Sequence, residues 1–467
     1  MLRLHPPATP KSKPSAEYRA EINGHPAFLH AMTGFSGGTV AWLSFDFDPI
    51  TDGPVTVKLT ALRNVDTVEV RPLNAGIEVA LLNNTATFTL TKNGHYFVKV
   101  DGTFQLPVYI FANPPESAPL TENDNPILYA GPGPSPVPRG AARNVHYFGP
   151  GEHRPGVIRL KSGQTAYLAA GAVVYGVIVA DDASDIRITG RGVLRGSHIP
   201  FGGTAECKKM IELNRCRRVV VEGITVLDGF AWNIIAHHCD DVRFSWVKVM
   251  TERPWSTDGI NPCASRDVVI EDCFMRTKDD CVSVKGLDWE HPDPRDWVPL
   301  RDITIRRCVL WSDNNNAVVV GSETRSSVIE RIRFEDCDIL YTSNTVGDEG
   351  GVLSVIVLDD TTLRDITFTD IRVEYALCPL INVFFTNEIF EIPSRRLAAG
   401  GVIRDVVFRN ITLLDGPSRR SYLRGMDALR KVIGVRIENL VIRGKRALTA
   451  ADARLETNAF AEDITIV

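Results

Sequence analysis

From about residue 145 onward this chain repeats one short phrase. A polar residue, most often followed by aspartate, precedes an aliphatic-x-aliphatic triplet, one further residue and a second aliphatic pair. The copies read SDIRITGRGVL, RRVVVEGITVL, DDVRFSWVKVM, RDVVIEDCFMR, RDITIRRCVLW, ERIRFEDCDIL, RDITFTDIRVE, RDVVFRNITLL and IGVRIENLVIR, with AEDITIV as a last partial copy. Their anchors are Ile186, Val219, Val242, Val268, Ile303, Ile332, Ile366, Val406, Val435 and Ile464, spaced from 23 residues (Val219 to Val242) to 40 (Ile366 to Val406). Strands this short cannot bury a face alone, whereas stacked copies build a continuous core. Leucine-rich repeats would need an asparagine-bearing consensus that is absent. A propeller would need four strands in every 40 or so residues. The prediction is an all-β chain whose residues 145–467 form a right-handed parallel β-helix, with variable loops on one side.

The preceding sequence has a different rhythm. Residues 1–15 are rich in Pro, Lys and Ser and are expected to be loosely ordered. Short alternating strands follow over 16–113, among them VTVKL, ATFTL, HYFVKV and VYIF, separated by Asn, Asp and Gly turns such as Lys92-Asn93-Gly94. They predict a small antiparallel β-sandwich. Residues 114–144 (NPPESAPL, GPGPSPVPRGAA) read as a Pro-rich linker.

Composition narrows the partners. The 467 residues carry a net charge of −5 and no long basic run, which argues against nucleic acid. No apolar stretch approaches the roughly 18 residues of a membrane span. The start, MLRLHPPATPKSKPSAEYRAEI, lacks an apolar signal region. The expectation is a cytoplasmic protein, one whose signal lies outside this sequence, or one exported by another route. Nine cysteines include Cys273, Cys308 and Cys337 at equivalent repeat positions, read as a ladder of buried thiols. No CxxC or Cys/His cluster has metal-site spacing, and no metal or cofactor is expected.

The residues richest in chemistry are three aspartates: Asp258 in STDG, and the pair Asp279-Asp280 in KDDC. Asp258-Gly259-Ile260 overlays Asp280-Cys281-Val282 at an offset of 22, about one coil. The carboxylates of Asp258 and Asp280 then belong to neighbouring rungs, roughly 4.8 Å apart. Asp279, one residue earlier, projects differently. Like charges so close push their pKa values apart, and an acid paired with a base is what glycosidic cleavage requires. Laying the coils over one another extends the column to Trp232, Asp258, Asp280 and Asn316. A solvated acidic edge or a calcium site is the alternative reading of the three aspartates.

Coils carrying STDG and KDDCVSVKG resemble glycoside hydrolase family 28, the polygalacturonases, over roughly 145–465. The β-sandwich and the segment YFGPGEHRPGVIRLKSGQTAYLAAGAVVYGVI also resemble family 49, the dextranases and isopullulanases. The resemblance implies Asp279 as general acid, Asp258 and Asp280 as the carboxylates that hold and activate water, and single displacement with inversion. Three departures stand out. Ser256 replaces the family's asparagine. Asn315-Asn316-Ala317 replaces Gly-His-Gly, ahead of Val320-Gly321-Ser322-Glu323. The Arg-Ile-Lys that grips galacturonate is missing from the matching stretch Val352–Asp360, which lacks any cation. These departures tilt the expected substrate from polygalacturonate toward a neutral polysaccharide or oligosaccharide such as an α-glucan.

Asn316, Lys285, Trp255, Lys278, Trp232 and Glu323 are the candidate substrate-binding residues. Trp255, Trp232, Trp289, Trp297 and Trp311 offer faces on which sugars stack, with core packing as the alternative. His237-His238 lack a third ligand at metal spacing and read as turn or core residues. Glu349, Asp359 and Asp360 are candidates for a cleft wall, and the insertions at about 286–300 and 384–402 for loops that close one end. Gly190-Arg191-Gly192 is a coil turn, since no helix follows it. Two other classes compete with a hydrolase: a calcium-dependent β-helix lyase, kept open by Lys278 beside Asp279, and a carbohydrate-binding protein with a degenerate site.

Overall fold

The computed structural model describes residues 1–8, 12–33, 39–121, 127–128, 144–253, 256–344, 350–389, 392–395, 397 and 400–467. The repeats wind into one long parallel β-helix. The anchors stand opposite one another from coil to coil: Ile186 faces Val219, then Val242, Val268, Ile303, Ile332, Ile366, Val406 and Val435 in turn. These are buried in a single apolar column, and Ile464 packs against it partly buried.

The aspartate ahead of each anchor has a conformational reason. Asp185, Asp241, Asp267, Asp302, Asp365, Asp405 and Asp463 all adopt positive φ between 50° and 61°. Aspartate tolerates the left-handed region better than most residues because its short polar side chain bonds locally. Where arginine stands there instead, as at Arg218 and Arg331, its guanidinium reaches back to the previous coil's aspartate, Asp185 or Asp302. The residue ahead of each anchor therefore sets a bend before the strand.

Aromatic rings also stack along the core. Phe334, Phe368 and Phe408 lie face to face at 4.8 Å per step. Phe368 is fully buried between the other two, so Phe368→Ala is expected to cost about 3–5 kcal/mol. Denaturant titration read by far-ultraviolet circular dichroism checks this. A loss under 1 kcal/mol would mean that the coils collapse readily around the gap.

The first 113 residues form two sheets. One holds Tyr18–Ile22, His25–Ala27, Val55–Ala61, Ala80–Leu82 and Thr85–Leu90; the other holds Arg3–Leu4, His30–Thr33, Thr39–Asp46, Val68–Arg71, Gly94–Val100 and Thr103–Asn113. All pairings are antiparallel except one: Thr103–Asn113 runs parallel to Thr39–Asp46, with Val108 opposite Ala41. The N-terminal segment is less loose than its composition suggests. Arg3–Leu4 pairs with Asp46 and Phe45, and His5 is buried 3.2 Å from Asp46. Most of the Pro-rich stretch at 114–144 lies outside the described residues.

These sheets do not stand apart from the β-helix. Trp42, Phe97, Tyr109 and Phe111 pack against Phe274, Val309, Trp311 and Leu340 in one apolar cluster. Polar ties frame it: Arg191 donates to Asp46 at 2.8 Å and to the Pro114 carbonyl at 2.8 Å. The buried Lys248 ammonium donates to Asn113 Oδ1 and to the carbonyls of Gly223 and Trp246. Burial pushes this lysine down to about 7. The Cys273–Cys308–Cys337 ladder is buried, and all nine cysteines are free thiols.

Candidate active site

Trp232, Asp258, Asp280 and Asn316 form one column, because Ile234 pairs with Ile260, Ile260 with Val282 and Val282 with Val318. Backbone bonds tie the column together: Asn233 N–H donates to the Asp258 carbonyl, Gly259 N–H to that of Asp280, and Cys281 N–H to that of Asn316. Gly259 is required by this close approach. A Cβ there would lie 2.3 Å from the Cys281 carbonyl oxygen.

Each carboxylate has a distinct setting. Asp258 is 1% exposed, accepts from Asn261 Nδ2 at 2.9 Å, and faces Lys285 Nζ at 3.7 Å. Asp280 is 3% exposed, and one oxygen accepts both the Asn316 backbone N–H (3.1 Å) and Nδ2 (2.7 Å). Asp279 alone is half-buried. It accepts from Ser256 N–H at 2.6 Å, Asp280 N–H at 2.9 Å and Asn315 Nδ2 at 2.8 Å. Burial raises all three above the ordinary carboxylate range. Repulsion from Asp279 adds to the rise at Asp258 and at Asp280, and Asp280 reaches about 7. Lys285 opposes these rises. A group of this kind retains protons near neutrality and can both give and take one.

The remaining predicted residues divide. Lys285 donates to Glu323 at 2.8 Å and lies 4.4 Å from the Trp232 ring centroid, so these three belong to the group. Lys278 does not join it. Its ammonium turns away to Asp313 (2.9 Å) and Glu252 (3.9 Å), inside a buried ion network shared with Arg276. Trp255 and Glu349 lie outside the described residues. Trp311 is taken up by the cluster against the N-terminal sheet, and Trp297 is buried with its indole N–H on the His291 carbonyl. Trp289 is exposed but stacks on His237 at 3.5 Å. Asp359 and Asp360 are buried and hold the later segment, accepting from Arg395 N–H, Leu397 N–H and Arg430.

Three neighbours escaped the sequence. Asn315 stands at φ 119° and donates to Asp279; its place in the replaced Gly-His-Gly motif was the available signal. Asn261, three residues after Asp258, carries an outward strand position within reach of it. Lys209 Nζ lies 4.4 Å from the Trp232 ring centroid, and the charge of Asp258 acts on it; it belongs to no repeat and gave no signal.

The chain is thus a parallel β-helix with three aspartates on adjacent coils, held by asparagines and a lysine, a setting in which protons can be given and taken. Residues 178–454 match glycosyl hydrolases family 28, and the chain belongs to that family. It is 26% identical over 164 residues to a probable polygalacturonase of Vitis vinifera, covering 35% of this chain and 33% of that protein. It is 24% identical over 252 residues to a probable polygalacturonase of Arabidopsis thaliana, covering 53% and 49%. The matches thus span a third to a half of the length of these curated relatives. In fold it is similar to Dex49A from Penicillium minioluteum, with a TM-score of 0.69 at 14% identity over 99% of this chain and 96% of that one.

Proposed function

We propose that this chain hydrolyses O-glycosidic bonds of a polysaccharide or oligosaccharide through Asp258, Asp279 and Asp280. The carrying observation is three carboxylates on adjacent coils, of which Asp258 and Asp280 are buried and Asp279 is half-buried. Asp279 then protonates the leaving oxygen, while Asp258 and Asp280 hold and activate the water. The single-displacement, inverting course rests on the family resemblance. Burial raises the Asp279 carboxyl above the ordinary carboxylate range, the direction that suits an acid that must give up a proton.

For the substrate, the ion pairing favours a neutral glycan. Lys285 is committed to Glu323 and Asp258, and Lys278 to Asp313 and Glu252. A uronate would meet the trio without a dedicated counter-charge. A second reading, a galacturonate polymer, is favoured by Lys209, which has no ion pair of its own among the described residues, and by the names of the relatives.

One panel separates these readings. The protein is incubated with dextran, pullulan, arabinan, rhamnogalacturonan and polygalacturonate, with and without chelator. New reducing ends from a neutral glycan are expected, with no 235-nm absorbance and no loss on chelation. Release from polygalacturonate alone would overturn the neutral-glycan reading. A chelator-sensitive 235-nm product would overturn hydrolysis in favour of elimination.

A further inference from the structure

The loop that leaves the catalytic coil brings together a group of ligands unrelated to the aspartate trio. His237 ends the strand Ile234–His237, and His238 follows it at φ 52°. Asp288 comes from the segment after Lys285 and is fully buried at its side chain. Ligating atoms of His237, His238 and Asp288 all lie within 4.8 Å of one another. His238 Nε2 is 2.9 Å from Asp288 Oδ1, and His291 Nδ1 is 2.8 Å from Asp288 Oδ2. The backbone N–H groups of Glu290 and His291 also point at Asp288 Oδ1, each at 3.2 Å.

Hydrogen bonds account for His238, Asp288 and His291. They do not account for His237. It is 0% exposed, and neither ring nitrogen has a hydrogen-bond partner. Its ring is held between Trp289, stacked at 3.5 Å, and the edge of His238 at 4.3 Å. Glu290 Oε1 lies 3.9 Å from its Nδ1 but is engaged by Arg215. A fully desolvated imidazole with two idle nitrogens calls for a partner.

We propose that His237, His238 and Asp288 bind a divalent transition-metal ion of the zinc class and so clamp the loop after Lys285 onto the coil. Two imidazoles and a carboxylate suit such an ion, leaving a fourth position for water. His291, bonded to the far oxygen of Asp288, orients the carboxylate as an outer partner. The clamp does not depend on the glycosidase reading.

The test uses the untagged, chelator-stripped full chain titrated with Co2+ and, separately, Zn2+. One equivalent of Co2+ is expected to give the visible ligand-field band of a four-coordinate nitrogen/oxygen site. Either metal at a hundredfold excess over its Kd is expected to raise Tm by about 2–4 °C. His238→Gln and Asp288→Asn are each expected to weaken binding by at least tenfold. X-ray absorption on the wild-type cobalt adduct, showing two imidazole ligands, decides the matter should either variant fail to fold. Absence of stoichiometric binding by the wild type, or equal binding by both folded variants, would overturn the proposal.

Discussion

Asp279→Asn is expected to lower kcat by about 10³–10⁴-fold while leaving oligosaccharide affinity within a few-fold of wild type. The reasoning starts from what the substitution spares. Asn keeps the shape and one acceptor oxygen, so the Asp280 N–H and Asn315 Nδ2 that share Oδ1 can still be met. Its new amide then faces Ser256 N–H, the donor that met Oδ2. A mismatch of that kind costs on the order of 1 kcal/mol, too little to unfold a stacked β-helix. What is removed entirely is the transferable proton. A glycoside whose leaving group needs no protonation, such as a nitrophenyl glycoside of the preferred sugar, should therefore lose far less activity than the natural glycan. Parallel kinetics on the two substrates, with calorimetric binding and a melting curve, make the measurement. Activity within tenfold of wild type on the natural glycan would remove Asp279 from the acid role, and an equal loss on both substrates would assign it a positioning role instead.

The β-helix was legible because its determinants are local and repeated. One aliphatic anchor per coil, preceded by a residue that accepts positive φ, specifies both a strand and the bend before it. Laying Asp258 over Asp280 worked for the same reason: the strands that follow are in register through Ile260 and Val282. Side-chain direction outside the strands was not legible. Lys278 precedes Asp279 in sequence, yet points to Glu252 and Asp313 on neighbouring coils. For Trp311 the sequence leaves sugar stacking and core packing both open. In the fold its repeat position faces the N-terminal sheet, and only the docking of Phe97 and Tyr109 reveals that.

Long-range pairing escaped for a related reason. Asp288 is 50 residues from His238, and no periodicity connects a loop to a coil end. Asn315 and Asn261 hold Asp279 and Asp258 from positions where a single sequence shows only another polar residue. Where the repeat is broken, as at Asn315-Asn316, local rules give no prediction. Family resemblance supplied the roles of the three aspartates; the geometry adds which of them reaches solvent.

Asp280→Asn is expected to do two opposite things: abolish turnover and stabilise the fold. Burial first, and then the charge of Asp279, raise Asp280 to about 7, against roughly 3.9 in an unfolded chain. Between those values the folded protein binds a proton that the unfolded chain has released. Raising the pH through this window therefore favours unfolding, and the full penalty is present above pH 7. At about 1.4 kcal/mol per unit the ceiling is roughly 4 kcal/mol. Sharing of protons among the three carboxylates and the donors from Asn316 reduce it, so the expected gain at pH 8 is about 1–3 kcal/mol. Asn retains an oxygen for the two Asn316 donors and carries no charge to bury. The decisive quantity is the stability difference between Asp280→Asn and wild type, measured by denaturant titration at pH 4 to 8. It should be near zero at pH 4, grow with pH, and level off above 7. A difference that is flat across this range, or a variant less stable than wild type at pH 8, would show that Asp280 is ionised in the folded protein at ordinary carboxylate pH. The water-activating role would then have to rest on Asp258, whose ion pair with Lys285 would become the feature to test.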